Sequence, residues 1–303
     1  MSKQNIKNLP ASIQDRLLNQ ARESGSPFNE ILQYYAIERF LYRLSQSQYA
    51  RQFVFKGALL FRVWGLPTFR PTRDIDLLGK ASNEVDILVG VIQEVCKKRV
   101  PDDGMFFDPA TIIGERIKED ADYEGVRLRF IGSLGTTRVH LQIDVGFADV
   151  VSPKPVKIKY PVILPFPEPE LRSYPPESVV SEKLQAMIYL GSINSRMKDF
   201  YDLWVMSNRF DFSGYVLQEA IRKTFANRKS NIPEEHPVAF SEQFAREKQV
   251  QWSAFLKTTG VQDAPEHIKS VQERLRKFLL PVFQNLRADK LMDKDWKPDG
   301  GWE

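Results

Sequence analysis

Two aspartates separated by a single residue carry the clearest chemical signal in the sequence. Asp74 and Asp76 lie in the segment TRDIDLL, with Ile75 and Leu77 at the alternate positions. Side chains of a strand alternate between its two faces, so both carboxylates should project from one face. Two adjacent like charges are costly unless a cation neutralises them, and oxygen ligands of this kind suit Mg²⁺, with Mn²⁺ as an alternative. The pair predicts a metal site; two solvated aspartates at a strand end would give the same pattern.

A third carboxylate is expected from the segment VHLQIDVGF. Its odd-numbered positions are all apolar, so Asp144 should project from the opposite, polar face of a strand. Asp149 and Asp108 are alternatives for this third position. Three strand-borne aspartates suit two-metal phosphoryl or nucleotidyl transfer, in which Asp144 would also accept the proton of the attacking hydroxyl. The predicted metal ligands are therefore Asp74, Asp76 and Asp144.

A phosphate-binding turn is predicted just upstream of the aspartate pair. Lys56 and Gly57 end the strand-like segment FVFKG and precede the helix-like segment ALLFRVWG. Free backbone N–H groups and a helix dipole would meet there and favour an anionic ligand, although Lys-Gly is also an ordinary helix start. Arg70 and Arg73 flank the aspartates and would either neutralise a triphosphate or form local ion pairs.

The elements that must position these residues predict an α/β core followed by helices. Two helices near 9–25 and 27–46 lead into about five strands, with a further helix near 83–99. The segment PFPEPELRSYPPES should be an extended connector, because proline lacks a backbone N–H donor. Helical patterns follow at 177–192, 196–209, 213–226, 241–257 and 264–288. The predicted division is a core at 1–165, a connector at 166–176, a helical domain at 177–290 and a loosely docked or frayed tail at 291–303.

Composition excludes several classes of protein. With 42% hydrophobic and 27% charged residues, the chain has the balance of a folded globular protein. Its single cysteine, Cys96, rules out an internal disulfide or a cysteine metal cluster, and the three histidines lack metal-ligand spacing. No apolar run approaches the roughly 18 residues of a membrane span, so we expect no membrane association and a cytoplasmic location.

The net charge of +4 is only a weak indication of a polyanionic partner, because nucleic acid is attracted by clustered charge rather than by the total. Basic residues of the helical half are the candidates for an RNA-binding surface, although they would equally form an ordinary solvated helix face. They are Arg222, Lys223, Arg228, Lys229, Lys269, Arg274, Arg276 and Lys277.

Four segments together resemble the AbiEii/AbiGii-type nucleotidyltransferase toxins, a branch of the DNA polymerase β-like superfamily. They are FVFKGALLFRVWGLPTFRPTRDIDLL, LQIDVGF, SEKLQAM and MKDFYDLW, and they span about residues 50–210 in the order and rough spacing of that family. The resemblance implies a polymerase-β-like core with a mixed sheet and a C-terminal helical domain. It also implies an NTP substrate and Asp74 and Asp76 as ligands of the metal.

The resemblance further implies functional roles for Lys183 and for the group Lys198-Asp199-x-x-Asp202. From the sequence alone, Lys198 and Asp202 are four residues apart on one helix face and would form a local ion pair. The functional interpretation instead brings Lys183 and Asp202 to the nucleotide, with the lysine as a point charge on phosphate.

One position departs from the superfamily pattern. Gly57 is followed by Ala58, where superfamily members usually have Gly-Ser or Gly-Gly. The hydroxyl often used on phosphate is therefore missing, and binding of the triphosphate would depend on Lys56 and on backbone N–H groups. The expected nucleotide-binding residues are Lys56, Gly57, Ala58, Arg73, Lys198 and Asp199.

The expected activity is transfer of NMP from an NTP to an acceptor. Characterised toxins of the family resemble tRNA nucleotidyltransferases that add nucleotides to the acceptor end and block aminoacylation, and others are proposed to bind GTP. The tRNA 3′ end is therefore the leading acceptor, and a cognate antitoxin is the expected partner. The alternatives are modification of protein side chains, metal-dependent nuclease chemistry, and a non-catalytic protein that only binds a partner.

Overall fold

The computed structural model describes residues 8–66, 72–80, 82–120, 123–234 and 236–303. Arg70, one of the two arginines predicted to flank the aspartates, lies outside the described residues. The chain divides into two compact units, Met1–Ala148 with Val156–Ser173 and Asp149–Pro155 with Tyr174–Glu303. Within the described ranges, no helix is both long enough and apolar enough to cross a membrane.

The first unit combines helices with a mixed sheet. Its helices are α1 (Leu9–Ser24), α2 (Phe28–Ser45), the short α3 (Leu60–Val63) and α4 (Val85–Cys96). Its strands are β1 (Phe53–Lys56), β2 (Asp74–Gly79), β3 (Met105–Asp120), β4 (Tyr123–Leu134), β5 (Thr137–Gly146), β6 (Val156–Lys159) and β7 (Glu170–Ser173).

The strands of this unit form one sheet in the order β3-β4-β5-β2-β1-β7-β6. β2 runs parallel to β5 and β1 runs parallel to β7, whereas the other neighbours are antiparallel. The predicted α/β core with a mixed sheet is confirmed. Across the described part of the chain the sheet has seven strands, where the sequence predicted about five.

Helix α2 anchors one half of this sheet. Its second half is almost entirely buried, and the Phe40 ring lies 5.7 Å from Phe107 on β3 and 5.1 Å from Phe130 on β4. Both oxygens of Asp103 accept from Arg43 at 2.7 and 2.9 Å, which ties the helix to the start of β3. The apolar faces of β3 and β4 are thereby fixed against α2, so their other faces are available for a site.

Two strands of the sheet were missed in the sequence. β3 falls in a stretch to which the sequence analysis assigned no element, because Pro109 and a register shift between Asp108 and Ile113 interrupt its alternation. β7 lies inside the predicted proline-rich connector, where its Leu171 and Ser173 are buried. The connector prediction is wrong at this point, because a four-residue strand between prolines still completes its hydrogen bonds with two neighbouring strands.

The second unit is mainly helical, as predicted. Its helices are α5 (Pro176–Leu190), α6 (Met197–Arg209), α7 (Gly214–Asn227), α8 (Glu242–Thr259) and α9 (Ile268–Arg287). Three short strands complete it: β8 (Phe212–Ser213), β9 (Asp295–Lys297) and β10 (Gly301–Trp302), which pair in the order β10-β9-β8 within the described residues.

The C-terminal tail packs firmly, so the prediction of a loosely docked or frayed end is wrong. Trp296 is 1% exposed, and its indole N–H donates to the Ser207 carbonyl at 2.8 Å. Its ring centroid lies 4.8 Å from that of Phe278 on α9 and 5.4 Å from that of Trp302. Aromatic burial, rather than any periodic pattern, holds this segment in place.

Candidate active site

A row of charged residues crosses the centre of the seven-stranded sheet. The parallel register of β2 and β5 sets Asp76 beside Asp144, and the antiparallel register of β1 and β2 sets Lys56 beside Asp76. Directly paired residues project from the same face of a sheet, so the three side chains share one face. Asp74 lies two residues before Asp76 and therefore faces the same way. The predicted carboxylates are thus brought to adjacent strands.

The alternation predicted for the aspartate strand is present in β2. Ile75 and Leu77 are buried, whereas Asp74 and Asp76 are half-buried. Because β2 lies between β1 and β5, its polar face is bordered on both sides by other strands of the sheet. Asp76 is consequently bordered by Lys56 and Asp144, whereas Asp74 begins β2 and is bordered by Gln142 on β5.

Gly57 lies directly against the carboxylate of Asp76. Its φ of +80° is in the region that favours glycine, and a Cβ placed on it would lie 1.9 Å from Oδ2 of Asp76. Lys56 immediately before it is only 7% exposed. The Lys56-Gly57 turn and Asp76 therefore form one closely packed arrangement.

The helix expected after this turn is much shorter than predicted. Only Leu60–Val63 is α-helical, where the sequence suggested that the whole segment ALLFRVWG would be. Ala58 lies in the turn, and its carbonyl accepts from the Phe61 N–H at 3.1 Å. A four-residue helix has almost no macrodipole, so a phosphate here would depend on Lys56 and the N–H groups of the turn.

Asp144 is bound by an arginine that the sequence analysis did not select. Arg127 on β4 donates from Nε to Oδ1 and from Nη2 to Oδ2 of Asp144, both at 2.8 Å. This two-pronged hydrogen bond, outweighing partial burial, raises the pKa of the Arg127 guanidinium. The alternation in VRLRF places Arg127 on a polar strand face, but only the pairing of β4 with β5 shows which carboxylate it meets.

The row continues beyond Arg127 to the edge of the sheet. Glu115 on β3 pairs in register with Arg127, so the charges across the strands run negative, positive, negative, negative and positive from Glu115 to Lys56. The neighbouring Arg129 donates to Gln142 at 3.1 Å and contacts Glu115 at 2.8 Å. The carboxylates are therefore embedded in an ordered network of opposite charges.

The donor set fits Mg²⁺ in ligand type, because it consists of carboxylate oxygens on neighbouring strands. Within the described parts of the chain, however, no group of three or more His, Cys, Asp or Glu side chains is arranged to hold an ion. Arg127 occupies both oxygens of Asp144. Asp74 and Asp76 are thus the residues that would hold the ion, and Asp144 would join them through the lone pairs that Arg127 leaves free.

The two alternatives for the third carboxylate lie elsewhere. Asp108 accepts from the backbone N–H of Ala110 at 2.9 Å and so caps the irregularity in β3. Asp149 belongs to the second unit, where its side chain is 4% exposed and pairs with Arg228 at 3.0 Å. In the described structure, the strand register sets Asp144 beside Asp76.

Lys183 forms a buried ion-pair cluster in the second unit. Its Nζ lies 2.7 Å from Oδ1 of Asp199 and 2.7 Å from Oδ2 of Asp202, and Arg196 contacts Asp199 at 2.9 Å. Burial alone would raise the pKa of Asp199, but the cations of Lys183 and Arg196 outweigh it and lower that pKa. Lys198 is exposed on α6, the helix that carries Asp199 and Asp202. The SEKLQAM and MKDFYDLW motifs thus meet through Lys183.

Several of the basic residues considered for RNA are engaged within the protein. Arg228 binds Asp149 and Gln185, and Arg274 donates to the carbonyls of Ser207 and Pro298. Others pair with acidic residues: Arg222 and Lys223 with Glu219 on their own helix α7, and Lys269 on α9 with Glu242 on α8. These contacts reduce the charge that this group would offer to a polyanion.

A groove of about 690 Å³ begins beside Asp74 in the first unit. Arg73, predicted to flank the aspartates, is exposed and lines it together with residues of β3, β4, β5 and the start of α2. The groove therefore reaches Asp74, which lies two residues before Asp76 of the carboxylate row.

Comparisons with known proteins identify the family of the chain through one family model. The family model described as Nucleotidyl transferase AbiEii toxin, Type IV TA system, matches residues 39–296. A search of curated proteins finds no match. Among solved structures, JHP933 from Helicobacter pylori is 12% identical with a TM-score of 0.43, over 83% of this chain and 90% of that one. A second H. pylori protein, proposed to be a nucleotidyltransferase, is 13% identical with a TM-score of 0.42, over 83% and 94%.

Proposed function

Because the chain belongs to the AbiEii nucleotidyltransferase toxin family of type IV toxin–antitoxin systems, as its motifs predicted, we propose that it transfers NMP from an NTP to the 3′ end of tRNA. The activity would require Mg²⁺ or Mn²⁺, and a cognate antitoxin would oppose it. Both substrates occur in the cytoplasm, where we propose that the protein acts. The observation that carries the proposal is the cross-strand row in which Lys56, Asp76 and Asp144 occupy directly paired positions.

The residues of the row divide the work of the reaction. Lys56 and the N–H groups of the Gly57 turn would bind the triphosphate, and Asp74 and Asp76 would hold the divalent cation. When bound, the cation neutralises charge that develops on the phosphates. The acceptor hydroxyl oxygen forms a bond to the α-phosphorus, the bond to the bridging oxygen of the β-phosphate breaks, and pyrophosphate leaves. Asp144 would take the hydroxyl proton on a lone pair that Arg127 leaves free.

The cluster around Lys183 has two interpretations, which experiments can distinguish. The family resemblance brings Lys183, Lys198, Asp199 and Asp202 to the nucleotide. The contacts favour a structural contribution as well, since Lys183 neutralises two carboxylates that are 2% and 3% exposed. We propose that Lys183 and Asp202 act on the nucleotide from this preorganised cluster.

The test is incubation of the purified protein with Mg²⁺, each α-labelled NTP in turn and total bacterial tRNA. We expect label on RNA with the wild-type protein and at least about 100-fold less with Asp74→Asn or Asp76→Asn, the scale on which loss of a key electrostatic group acts. Asp15→Asn is the matched control, because Asp15 is exposed on α1. Label appearing on the protein instead of on RNA, or no label transfer, would overturn tRNA as the acceptor.

A further inference from the structure

The groove beside Asp74 has the composition of a nucleic-acid site. Arg73, Arg129, Arg138 and His140 line it and are exposed, whereas Asp74 is its acidic residue among those described. Its volume of about 690 Å³ is within the range of pockets that hold ligands of nucleotide size. Clustered cationic side chains around a concave surface favour a polyanionic ligand.

The groove also exposes an apolar side chain. Ile113 on β3 is 72% exposed, and it pairs in register with Arg129 on β4. An apolar surface beside a guanidinium plane suits a nucleobase, which stacks on flat or apolar groups while its phosphate meets a cation. The lining therefore provides for bases as well as for phosphates.

The position of the groove separates it from the predicted triphosphate site. The strand order places β1, with Lys56 and Gly57, on one side of β2, and places β5, β4 and β3 on the other. A second row, Ile113, Arg129, Gln142 and Asp74, follows the register across the groove side up to the carboxylates. Nucleotidyl transfer needs the attacking hydroxyl and the leaving pyrophosphate on opposite sides of the α-phosphate, which this arrangement supplies.

From this geometry we propose that the groove binds the single-stranded 3′ end of the acceptor RNA, with its last nucleotides along β5 and β4 and its terminal hydroxyl at Asp74. The inference rests on the proposed function, because it identifies the acceptor site of that reaction. Arg138 contacts a phosphate and Ile113 supports a base, while Arg129 is held beside Ile113 by its contacts with Glu115 and Gln142. This acceptor site is formed by the sheet of the first unit and not by the basic helices of the second.

The inference can be tested by RNA binding alone, without NTP or turnover. The probe is a short fluorescent single-stranded RNA, and the variants are Arg138→Ala and Ile113→Glu. We expect each to weaken binding about fivefold at low salt, and Arg138→Ala to reduce the salt dependence of log K by about 0.7, the value of one phosphate contact on a single strand. Lys157→Ala is the matched control, because Lys157 is exposed on the opposite edge strand β6. NTP affinity should be unchanged in all three variants.

Two results would overturn the inference. One is RNA binding by both groove variants equal to that of the wild type, and the other is loss of NTP affinity in place of RNA affinity. A protein that binds RNA through the groove but transfers no label would refute the proposed function and leave the acceptor groove supported. Normal label transfer with unchanged RNA binding and unchanged acceptor KM in both variants would refute the groove alone.

Discussion

The carboxylate of Asp76 lies directly over the Cα of Gly57, so closely that a Cβ on Gly57 would be 1.9 Å from Oδ2 of Asp76. The same glycine has a φ of +80°, a backbone angle that residues with a Cβ rarely adopt. The turn that follows β1 and the carboxylate strand β2 are therefore fitted to each other. Ala58, at the position where superfamily members usually have Ser or Gly, does not disturb this contact, because the close approach is at Gly57.

Gly57→Ala should abolish activity, since the added methyl group would displace the Asp76 carboxylate. We expect at least a 100-fold loss of label transfer and about 1–3 kcal/mol loss of stability from the unfavourable φ. Gly65→Ala is the matched control, because Gly65 has a φ of +65° with nothing within 4 Å of an added Cβ. It should lose similar backbone stability and keep activity. Equal activity losses in the two variants would show that backbone strain, and not the contact with Asp76, matters.

Arg127→Ala should make the stability of the protein depend on Mg²⁺. Asp144 is 8% exposed and would lose its cation, at a cost of about 1–3 kcal/mol, less than for a fully buried pair because Arg127 is 30% exposed. Added Mg²⁺ can replace the lost charge, so it should raise the Tm of Arg127→Ala more than that of the wild type. Thermal denaturation with and without Mg²⁺ measures this, with Arg116→Ala as a more exposed control. An equal Mg²⁺ shift in all three proteins would contradict a cation site at Asp144.

Lys183→Met should strongly destabilise the second unit, because it removes the cation that pairs with the buried carboxylates of Asp199 and Asp202. The expected loss is about 3–5 kcal/mol at neutral pH. In the wild type the pKa of Asp199 is lowered, so its contribution is present above the unfolded pKa near 4 and is lost as the pH falls through the lower folded value. The deficit of Lys183→Met should therefore shrink on acidification. Urea unfolding at several pH values measures it, and a deficit independent of pH would contradict this explanation.

Lys198→Met serves as the stability control for that series. Lys198 is exposed on α6, one residue from Asp199, so its replacement should change stability by no more than about 0.5 kcal/mol. A functional contribution of Lys183 would appear as lost label transfer at a temperature where Lys183→Met is still fully folded.

Glu38 should make the first unit less stable as the pH rises. Burial raises the pKa of Glu38 to about 8, although the cation of Arg39 and the N–H of Ile163 act in the opposite direction. The folded chain keeps this proton when the unfolded chain has lost it, so its contribution is full below about pH 4.5 and declines up to about pH 8. Two other charged groups affect the pKa of Glu38: Arg62 lowers it and Asp103 raises it.

Glu38→Gln should reduce this decline, because glutamine has no proton to lose. Relative to the wild type, the variant should gain about 1 kcal/mol or more of stability between about pH 5 and pH 8, since one pKa unit corresponds to about 1.4 kcal/mol. Urea unfolding across this range tests it, with the exposed Glu23→Gln as control. Parallel profiles for wild type and Glu38→Gln would refute the raised pKa.

Trp296→Ala should lower the free energy of unfolding by about 3–5 kcal/mol, the usual cost of emptying a buried indole site. The residue is 1% exposed and packs on Phe278. Leu291→Ala, at a position 71% exposed in the same segment, should have little effect. Similar unfolding midpoints for the two variants would mean that the tail contributes no packing energy.

The sequence predicted which strand faces carry the aspartates, because strand alternation is a local property. It assigned Asp74, Asp76 and Asp144 to polar strand faces, and the register then brought them onto adjacent strands. Arg127 was not predicted, since its partner depends on which strands pair and in which register. Local patterns do not contain that information for strands far apart in the chain.

The missed elements share a physical cause. β3 is interrupted at Pro109, and β7 and β9 are three or four residues long. Such segments are too short or too irregular to show a period. They form strands because they pair with a neighbouring strand or pack against an aromatic cluster. The helices of the second unit were predicted closely, because each is long enough for its apolar spacing to repeat.

The parallel pairing of β1 with β7 has a consequence for synthesis of the protein. Phe55 pairs with Ser173, so the outer edge of β1 stays open until the ribosome has made more than half of the chain. Until then the strand that carries Lys56 has an unpaired edge, which is prone to associate with other chains. The sheet around Lys56 is therefore completed only after residues 170–173 have been made, whereas β1, β2 and β5, which carry Lys56, Asp76 and Asp144, are made before them.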